Sequence, residues 1–145
     1  MTTLGVFRDD YYNPINILQD AQYNATTQTS GTLTASVLAG AVENYVKTSA
    51  ATALTTDTAA NIYAQTISAI QAAAPSAQPP PNITGLTFLL YIHNTDGSTL
   101  TLTAGTGVTI TGTATLATTI QREYLVTITG PTTVTFQDLG GSALS

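Results

Sequence analysis

The sequence predicts an α+β protein, in which an N-terminal arm and two short helices are followed by a small antiparallel β-sandwich or barrel. Apolar residues recur at spacings of three and four between residues 32 and 75, and the hydrophobic period changes to two beyond a run of three prolines at 79–81. The predicted parts are an arm at 1–31, a helical pair at 32–75, a Pro-rich linker at 76–82 and an antiparallel β-domain at 83–145.

The arm has no sustained period of 3.6 or 2, yet it carries more aromatic and aliphatic residues than a disordered tail does. We expect such a segment to order on the surface of a partner. The predicted binding residues are Phe7, Tyr11, Tyr12, Ile15, Ile17, Leu18 and Tyr23. The alternative, a short strand or turn packed on the protein's own domain, agrees equally well with these residues.

Two amphipathic helices are predicted between the arm and the prolines. The first covers 32–48, where seven apolar residues recur at helical spacing: Leu33, Val37, Leu38, Ala41, Val42, Tyr45 and Val46. The second begins near Asp57, whose carboxylate can accept hydrogen bonds from the free N–H groups of a helix N-terminus. It ends before Pro75, because the residue preceding a proline is disfavoured in the α conformation.

Residues 76–82 include three consecutive prolines, which favour a semi-rigid polyproline II spacer. Beyond them, six short strand-like runs are separated by glycine and proline. They lie at 86–93, 100–102, 108–110, 113–117, 124–128 and 134–136. The Asp96-Gly97 step between the first two runs favours a hairpin. Six short strands with regular turns are typical of a small sandwich or barrel.

Charge and composition exclude several classes of function. Only 8% of residues are charged, against about 25% in an ordinary soluble domain, and about one residue in five is Thr. Three scattered basic residues cannot form the patch that nucleic acid requires. There is no Cys, no leader-like N-terminus and no apolar stretch approaching a membrane span. The sequence therefore predicts a protein made in the cytoplasm, without nucleic-acid or membrane partners, whose charge-poor surface faces other protein.

No catalytic, cofactor-binding or metal-binding constellation is predicted. His93, the single histidine, has only Asp96 near it in sequence, and we interpret it as a turn or strand-end residue. The segment 104–108, Ala-Gly-Thr-Gly-Val, lacks the Lys-Ser/Thr of a phosphate loop and lies between strands, so its glycines are interpreted as turn residues. Adjacent Arg122 and Glu123 are interpreted as surface or intersubunit ion-pair partners. The chain is therefore predicted not to be an enzyme.

Residues 55–137 resemble small virion proteins of tailed bacteriophages, the head decoration (cement) or head-fibre proteins. The shared features, in order, are Thr-Asp-Thr-Ala-Ala at 56–60, a helix ending at Pro75, Ile-His-Asn-Thr at 92–95, Ala-Gly-Thr-Gly-Val-Thr at 104–109 and Arg-Glu-Tyr-Leu-Val-Thr at 122–127. The first 54 residues lie outside the resemblance.

The resemblance implies a homotrimer, or another small symmetric oligomer, on the outer surface of the capsid, where it bridges and stabilises subunits of the major capsid protein. The arm would then be the capsid-binding segment. The alternative is a head- or tail-fibre adhesin module that binds a host surface glycan. That function needs exposed aromatic rings, for which Tyr91 and Tyr124 are the candidates in the β-domain.

Overall fold

The computed structural model describes residues 19–28, 31–48, 52–73 and 82–144, the first of these ranges as backbone only. Two sheets and two helices form the described part of the chain. In chain order the elements are β1 (Gln19–Gln28), β2 (Gly31–Leu33), α1 (Ala35–Leu38), β3 (Ala41–Thr48), β4 (Ala53–Thr56), α2 (Ala59–Ala73), β5 (Thr87–Asn94), β6 (Leu100–Thr103), β7 (Val108–Thr111), β8 (Thr115–Leu116), β9 (Ile120–Gly130) and β10 (Thr133–Ala143).

The first six strands alternate between the sheets and stack as three parallel coils. Strands β1, β3 and β5 are neighbours in a six-stranded sheet of order β1-β3-β5-β9-β10-β7, and β2, β4 and β6 are neighbours in a four-stranded sheet of order β2-β4-β6-β8. All four strand pairs between successive coils are parallel. Each coil thus contributes one strand to each sheet.

Antiparallel strands complete both sheets. Strand β9 pairs with β5 and with β10, and β8 pairs with β6, each time antiparallel, whereas β7 joins β10 in parallel. The α+β class is confirmed, as are a sandwich-like pair of sheets and all six predicted strand regions beyond the prolines. The expectation of antiparallel pairing needs a correction, because both sheets are mixed.

The core lies between the two sheets and under α2. Alternation along β5 buries Phe88, Leu90, Ile92 and Asn94 and turns the residues between them outward. Other large buried side chains come from both sheets and from α2, and include Leu33, Leu54, Ile62, Leu100, Tyr124 and Phe136. Full burial of each large apolar side chain contributes roughly 1.5–3 kcal/mol, so this shared core couples the coils to one another.

Helix α2 confirms the predicted second helix. It buries Ala59, Ile62, Thr66 and Ile70, which recur at helical spacing. Thr58 Oγ1 accepts a 3.2 Å hydrogen bond from the N–H of Asn61, as an N-cap residue does. Described residues of the helix end at Ala73, two residues before the proline.

The predicted helix over 32–48 is wrong. Only one helical turn, α1, forms there, and residues 41–48 are strand β3. The apolar residues at helical spacing belong to three different elements. Within 41–48, the buried positions Asn44, Val46 and Thr48 alternate, and β3 gains parallel partners on both sides. Tertiary pairing with β1 and β5 therefore overrides a helical spacing that is local.

Two buried asparagines satisfy backbone groups where the chain enters or leaves the six-stranded sheet. Asn44 Oδ1 accepts hydrogen bonds from the N–H groups of Gly40 and Ala41, at 2.8 and 3.0 Å. Asn94 Nδ2 donates to three backbone carbonyls, those of Ser98, Leu116 and Ala117. Unpaired polar groups buried at these bends would each cost about 1–3 kcal/mol.

Both sheets continue across the Pro-rich segment. Strand β3 pairs with β5, and β4 pairs with β6, although residues 57–86 separate them in sequence. The Asp96-Gly97 turn does not form the predicted hairpin, because β5 and β6 belong to different sheets. The turn instead carries the chain from one sheet to the other, and the Thr95 N–H donates to the carbonyl of Thr48 in the coil before it.

Candidate functional site

The most distinctive surface feature is a line of aromatic and acidic side chains on the outer face of the six-stranded sheet. We define the outer face by the residues that alternate with the buried ones. Parallel pairing sets Tyr45 of β3 beside Tyr91 of β5, and antiparallel pairing sets Tyr91 beside Glu123 of β9. With Glu43, these residues form what we call the tyrosine row.

The two tyrosines of the row stack on each other and donate to the two carboxylates. Their ring centroids are 4.6 Å apart and the planes differ by 9°. Tyr45 donates its hydroxyl to Glu43 Oε2 at 3.0 Å, and Tyr91 donates to Glu123 Oε1 at 3.1 Å. Burial and the hydrogen bond to Glu123 raise the pKa of Tyr91 to about 12, and burial with the Glu43 contact raises the pKa of Tyr45. Both phenols therefore stay protonated and act as donors.

His93 lies at the edge of the row. Its ring meets that of Tyr45 edge-on, with centroids 6.0 Å apart and planes at 89°. Its Nε2 is buried without a hydrogen-bond partner. Burial lowers the pKa of His93, because an imidazolium would lose its hydration there. The imidazole is therefore neutral at pH 7 and acts as a packing group.

A cleft opens at the β9–β10 end of the outer face. The pairing of β9 with β10 shifts register between Asp138 and Gly140, and this β-bulge leaves Leu139 pointing outward, 49% exposed. The cleft has a volume of about 210 Å³. It is lined by Gln121, Glu123, Leu139, Gly140, Gly141 and Ser142.

The bulge is fixed from the opposite face by an ion pair. Arg122 Nη1 donates to both carboxylate oxygens of Asp138 at 2.8 Å, and the two side chains are 17% and 11% exposed. Asp138 also accepts from the N–H groups of Thr113 and Gly140. Burial opposes ionisation of Asp138, but the bonds from Arg122, Thr113 and Gly140 outweigh it and lower the pKa. Arg122 thus pairs with a partly buried carboxylate of its own chain, whereas a surface or intersubunit ion pair was predicted.

The Ala-Gly-Thr-Gly-Val segment has a structural role. The carbonyl of Thr106 accepts from the N–H of Ala59, the first residue of α2, and the carbonyl of Gly107 accepts from the N–H of Val134. Gly107 has a φ of +77°, as the interpretation as turn glycines requires. The loop therefore joins α2 to β10 through these two carbonyls.

Most of the predicted capsid-binding residues lie outside the described residues: Phe7, Tyr11, Tyr12, Ile15, Ile17 and Leu18. Tyr23 lies in β1, where the backbone register sets it beside Tyr45. Part of the predicted arm is therefore a sheet strand, which agrees with the alternative interpretation for 19–28. The coils place Tyr23, Tyr45 and Tyr91 at equivalent positions, but their unequal spacings of 22 and 46 residues hide this signal from inspection at a fixed period.

Within the described part of the chain, no three Asp, Glu or His residues lie close enough together to hold a metal ion. No helix there is long and apolar enough to cross a membrane. Comparison of the chain with protein-family models, with curated proteins and with solved structures finds no match.

Proposed function

We propose that this chain is a non-catalytic structural protein of a tailed-phage particle, and that it decorates the outside of the capsid. As a trimer or another small oligomer, it binds neighbouring subunits of the major capsid protein and stabilises the lattice. A ligand that binds only the intact lattice stabilises it by mass action. Two observations support this function: residues 55–137 resemble phage head decoration or head-fibre proteins, and most of the described charged residues are used to hold the fold together.

The observation that carries the proposal is that most of the charged side chains in the described part of the chain bond to groups of the protein itself. Asp57 accepts from the N–H groups of Ala35 and Thr58, and thereby links α1 to the start of α2. Asp138 and Arg122 fix the bulge between β9 and β10. Glu43 and Glu123 accept from phenols. Groups engaged in this way favour a scaffold over general acid–base chemistry, which needs a group free to exchange its proton with a substrate.

The arm is the proposed capsid contact because of where it joins the fold. Among the described strands, β1 lies at one edge of the six-stranded sheet, and residues 1–18 precede it directly in sequence. An edge strand offers backbone donors and acceptors to an added strand, and the aromatic residues of the arm can supply side-chain anchors.

The alternative glycan-binding function receives less support. Sugar stacking needs an open aromatic face, and the β-domain candidates were Tyr91 and Tyr124. Tyr124 is fully buried, with its hydroxyl bonded to the carbonyl of Thr113. One face of Tyr91 is covered by Tyr45.

Binding to undecorated heads tests the proposal. Full-length protein, a variant lacking residues 1–18 and a matched variant with Phe7, Tyr11 and Tyr12 changed to Ser are mixed with heads and sedimented. We expect the full-length protein to saturate at hundreds of copies per head, and both variants to lose binding while they keep their oligomeric state. Equal co-sedimentation of all three would remove the arm as the anchor. A few copies confined to the tail of native particles would overturn the decoration function.

A further inference from the structure

The cleft beside the bulge has the size and lining of a site for a single side chain. Its 210 Å³ lies below the range of about 300–1,000 Å³ typical of clefts for drug-sized ligands. One wall is the exposed apolar side chain of Leu139, and another is the carboxylate of Glu123. Gln121, Ser142 and two glycines add amide, hydroxyl and backbone groups.

Glu123 has no cationic partner among the described residues. Its Oε1 accepts from Tyr91, and its Oε2 makes no hydrogen bond with any residue that the structure describes. The described residues form one ion pair, which joins Arg122 to Asp138. The cleft therefore presents an acceptor oxygen and a negative charge, held in place by the phenol behind it.

We propose that this cleft binds an arginine side chain of a partner protein. The inference rests on the proposed function for the identity of the partner, the capsid protein, and on the cleft for the chemistry of the contact. The methylene stem of the arginine packs against Leu139, and the guanidinium donates to Glu123 Oε2 and to the Gln121 side-chain oxygen. A chain with a net charge of −5 complements a partner surface rich in basic residues.

Arginine fits this lining better than lysine does. The guanidinium presents five donors in a planar fork, which can reach several acceptors spread along one wall. An ammonium is more strongly hydrated and concentrates its charge at one point, so it loses more water on entering a cleft with one carboxylate.

The wall that carries Leu139 is preorganised. Asp138, immediately before it, is held by Arg122 and by the N–H groups of Thr113 and Gly140. The backbone on both sides of Leu139 is therefore held in place. A rigid site loses little conformational entropy on binding, which favours affinity for a ligand as small as one side chain.

The test is an NMR titration that follows the backbone amide chemical shifts of the full-length protein. The ligands are N-acetyl-arginine amide, N-acetyl-lysine amide and the uncharged isostere N-acetyl-citrulline amide. We expect saturable shifts at residues 121, 123 and 140–142 with a millimolar Kd for arginine, at least about fivefold weaker binding of lysine, and no saturation with citrulline. Glu123→Gln should weaken arginine binding at least about fivefold. Glu43→Gln removes the equivalent carboxylate at the other end of the row, away from the cleft, and should leave the affinity unchanged.

Three results would overturn the inference: no saturable shift with arginine, equal binding of citrulline, or equal weakening by Glu43→Gln and Glu123→Gln. A thermal melt of each variant separates lost binding from lost folding. The assay contains no phage particle, so a negative result would not bear on the proposal that the arm binds phage heads. Arginine binding in a protein that does not bind heads would count against the decoration function alone.

Discussion

At the residue scale, two carboxylates in the described part of the chain, Asp57 and Asp138, connect segments that are distant in sequence. Asp57 accepts three hydrogen bonds, from the N–H groups of Ala35 and Thr58 and from Asn61 Nδ2. Burial opposes its ionisation, but the bonds from Asn61, Ala35 and Thr58 outweigh that cost and lower its pKa. The carboxylate therefore fixes α1 against the start of α2.

We expect Asp138→Asn to lower the free energy of unfolding by about 1.5–3 kcal/mol at pH 7, because it removes the acceptor charge facing Arg122. Since the folded pKa of Asp138 is lowered, its contribution is present above the unfolded pKa of about 3.9 and is lost as the pH falls through the folded value. Urea unfolding between pH 7 and pH 2 measures both effects. Asp96→Asn, which changes the charge equally in a turn, is the control and should stay within about 0.5 kcal/mol of wild type.

His93 should give a separate step at higher pH. Burial lowers its folded pKa, so the unfolded chain takes up a proton first as the pH falls below about 6.5. Stability is then complete above that value and decreases as the pH falls from about 6.5 towards the folded pKa. We expect His93→Gln to abolish this step. A proton NMR titration of the single imidazole gives the folded pKa directly, and a value at or above 6.5 would contradict the prediction.

How far the sequence predicts the site depends on how local each contact is. Asp57 lies next to Thr58, the N-cap residue of α2, and its place near the N-cap was predicted and confirmed. The partner of Arg122 is Asp138, sixteen residues away, and the pairing depends on the register and bulge of β9 and β10. The stacking of Tyr45 on Tyr91 depends on parallel pairing across the Pro-rich segment. The register between two strands relates segments that are distant in sequence, so it cannot be predicted from a pattern within one segment.

At the element scale, local signals located most of the secondary structure but not the pairing. Helix α2 and the six later strands were predicted because their period and their boundaries lie within one segment. Strand β3 was missed because its choice of strand over helix is made by β1 and β5, which flank it in the sheet. The mixed sheets were missed for the same reason, since pairing direction is a property of two distant segments.

The loop between β6 and β7 depends on a glycine without a side chain. A Cβ on Gly105 would lie 2.6 Å from the carbonyl oxygen of Asp57 and closer still to that of Thr56. We expect Gly105→Ala to destabilise the protein by roughly 1–3 kcal/mol, because two backbone segments would have to move apart. Gly97→Ala is the matched control, with no atom within 4 Å of the added carbon. Equal melting temperatures for the two variants would show that the loop accommodates the added Cβ without loss of stability.

At the scale of the whole molecule, the fold is a stack of three unequal coils. The register offset is 22 residues between β1 and β3, where Gln19 pairs with Ala41, and 46 between β3 and β5, where Glu43 pairs with Leu89. The difference arises because α2 and the Pro-rich segment are inserted after β4. This insertion hides the repeat from inspection at a fixed period, and it made the prolines look like a boundary between helices and sheet.

The stacked coils predict that the chain on the two sides of the Pro-rich segment folds as one cooperative unit. Parallel pairing of β3 with β5 and of β4 with β6 crosses that segment, and the buried residues Val46, Leu54, Leu90 and Leu102 belong to one core. A site-specific protease sequence inserted between Ala77 and Gln78 should therefore leave, after cleavage, two fragments that co-elute in gel filtration and melt in a single transition. The cleaved protein should melt at a lower temperature than the uncut form, because loss of covalent linkage raises the entropy of the unfolded state.

Denaturation in urea should release the fragments, and the piece carrying residues 78–145 should not regain a cooperative melt alone, since β5 and β6 would each lose a parallel neighbour. Separation of the fragments under native conditions, with the C-terminal piece still folded, would show that the prolines do divide two independent domains.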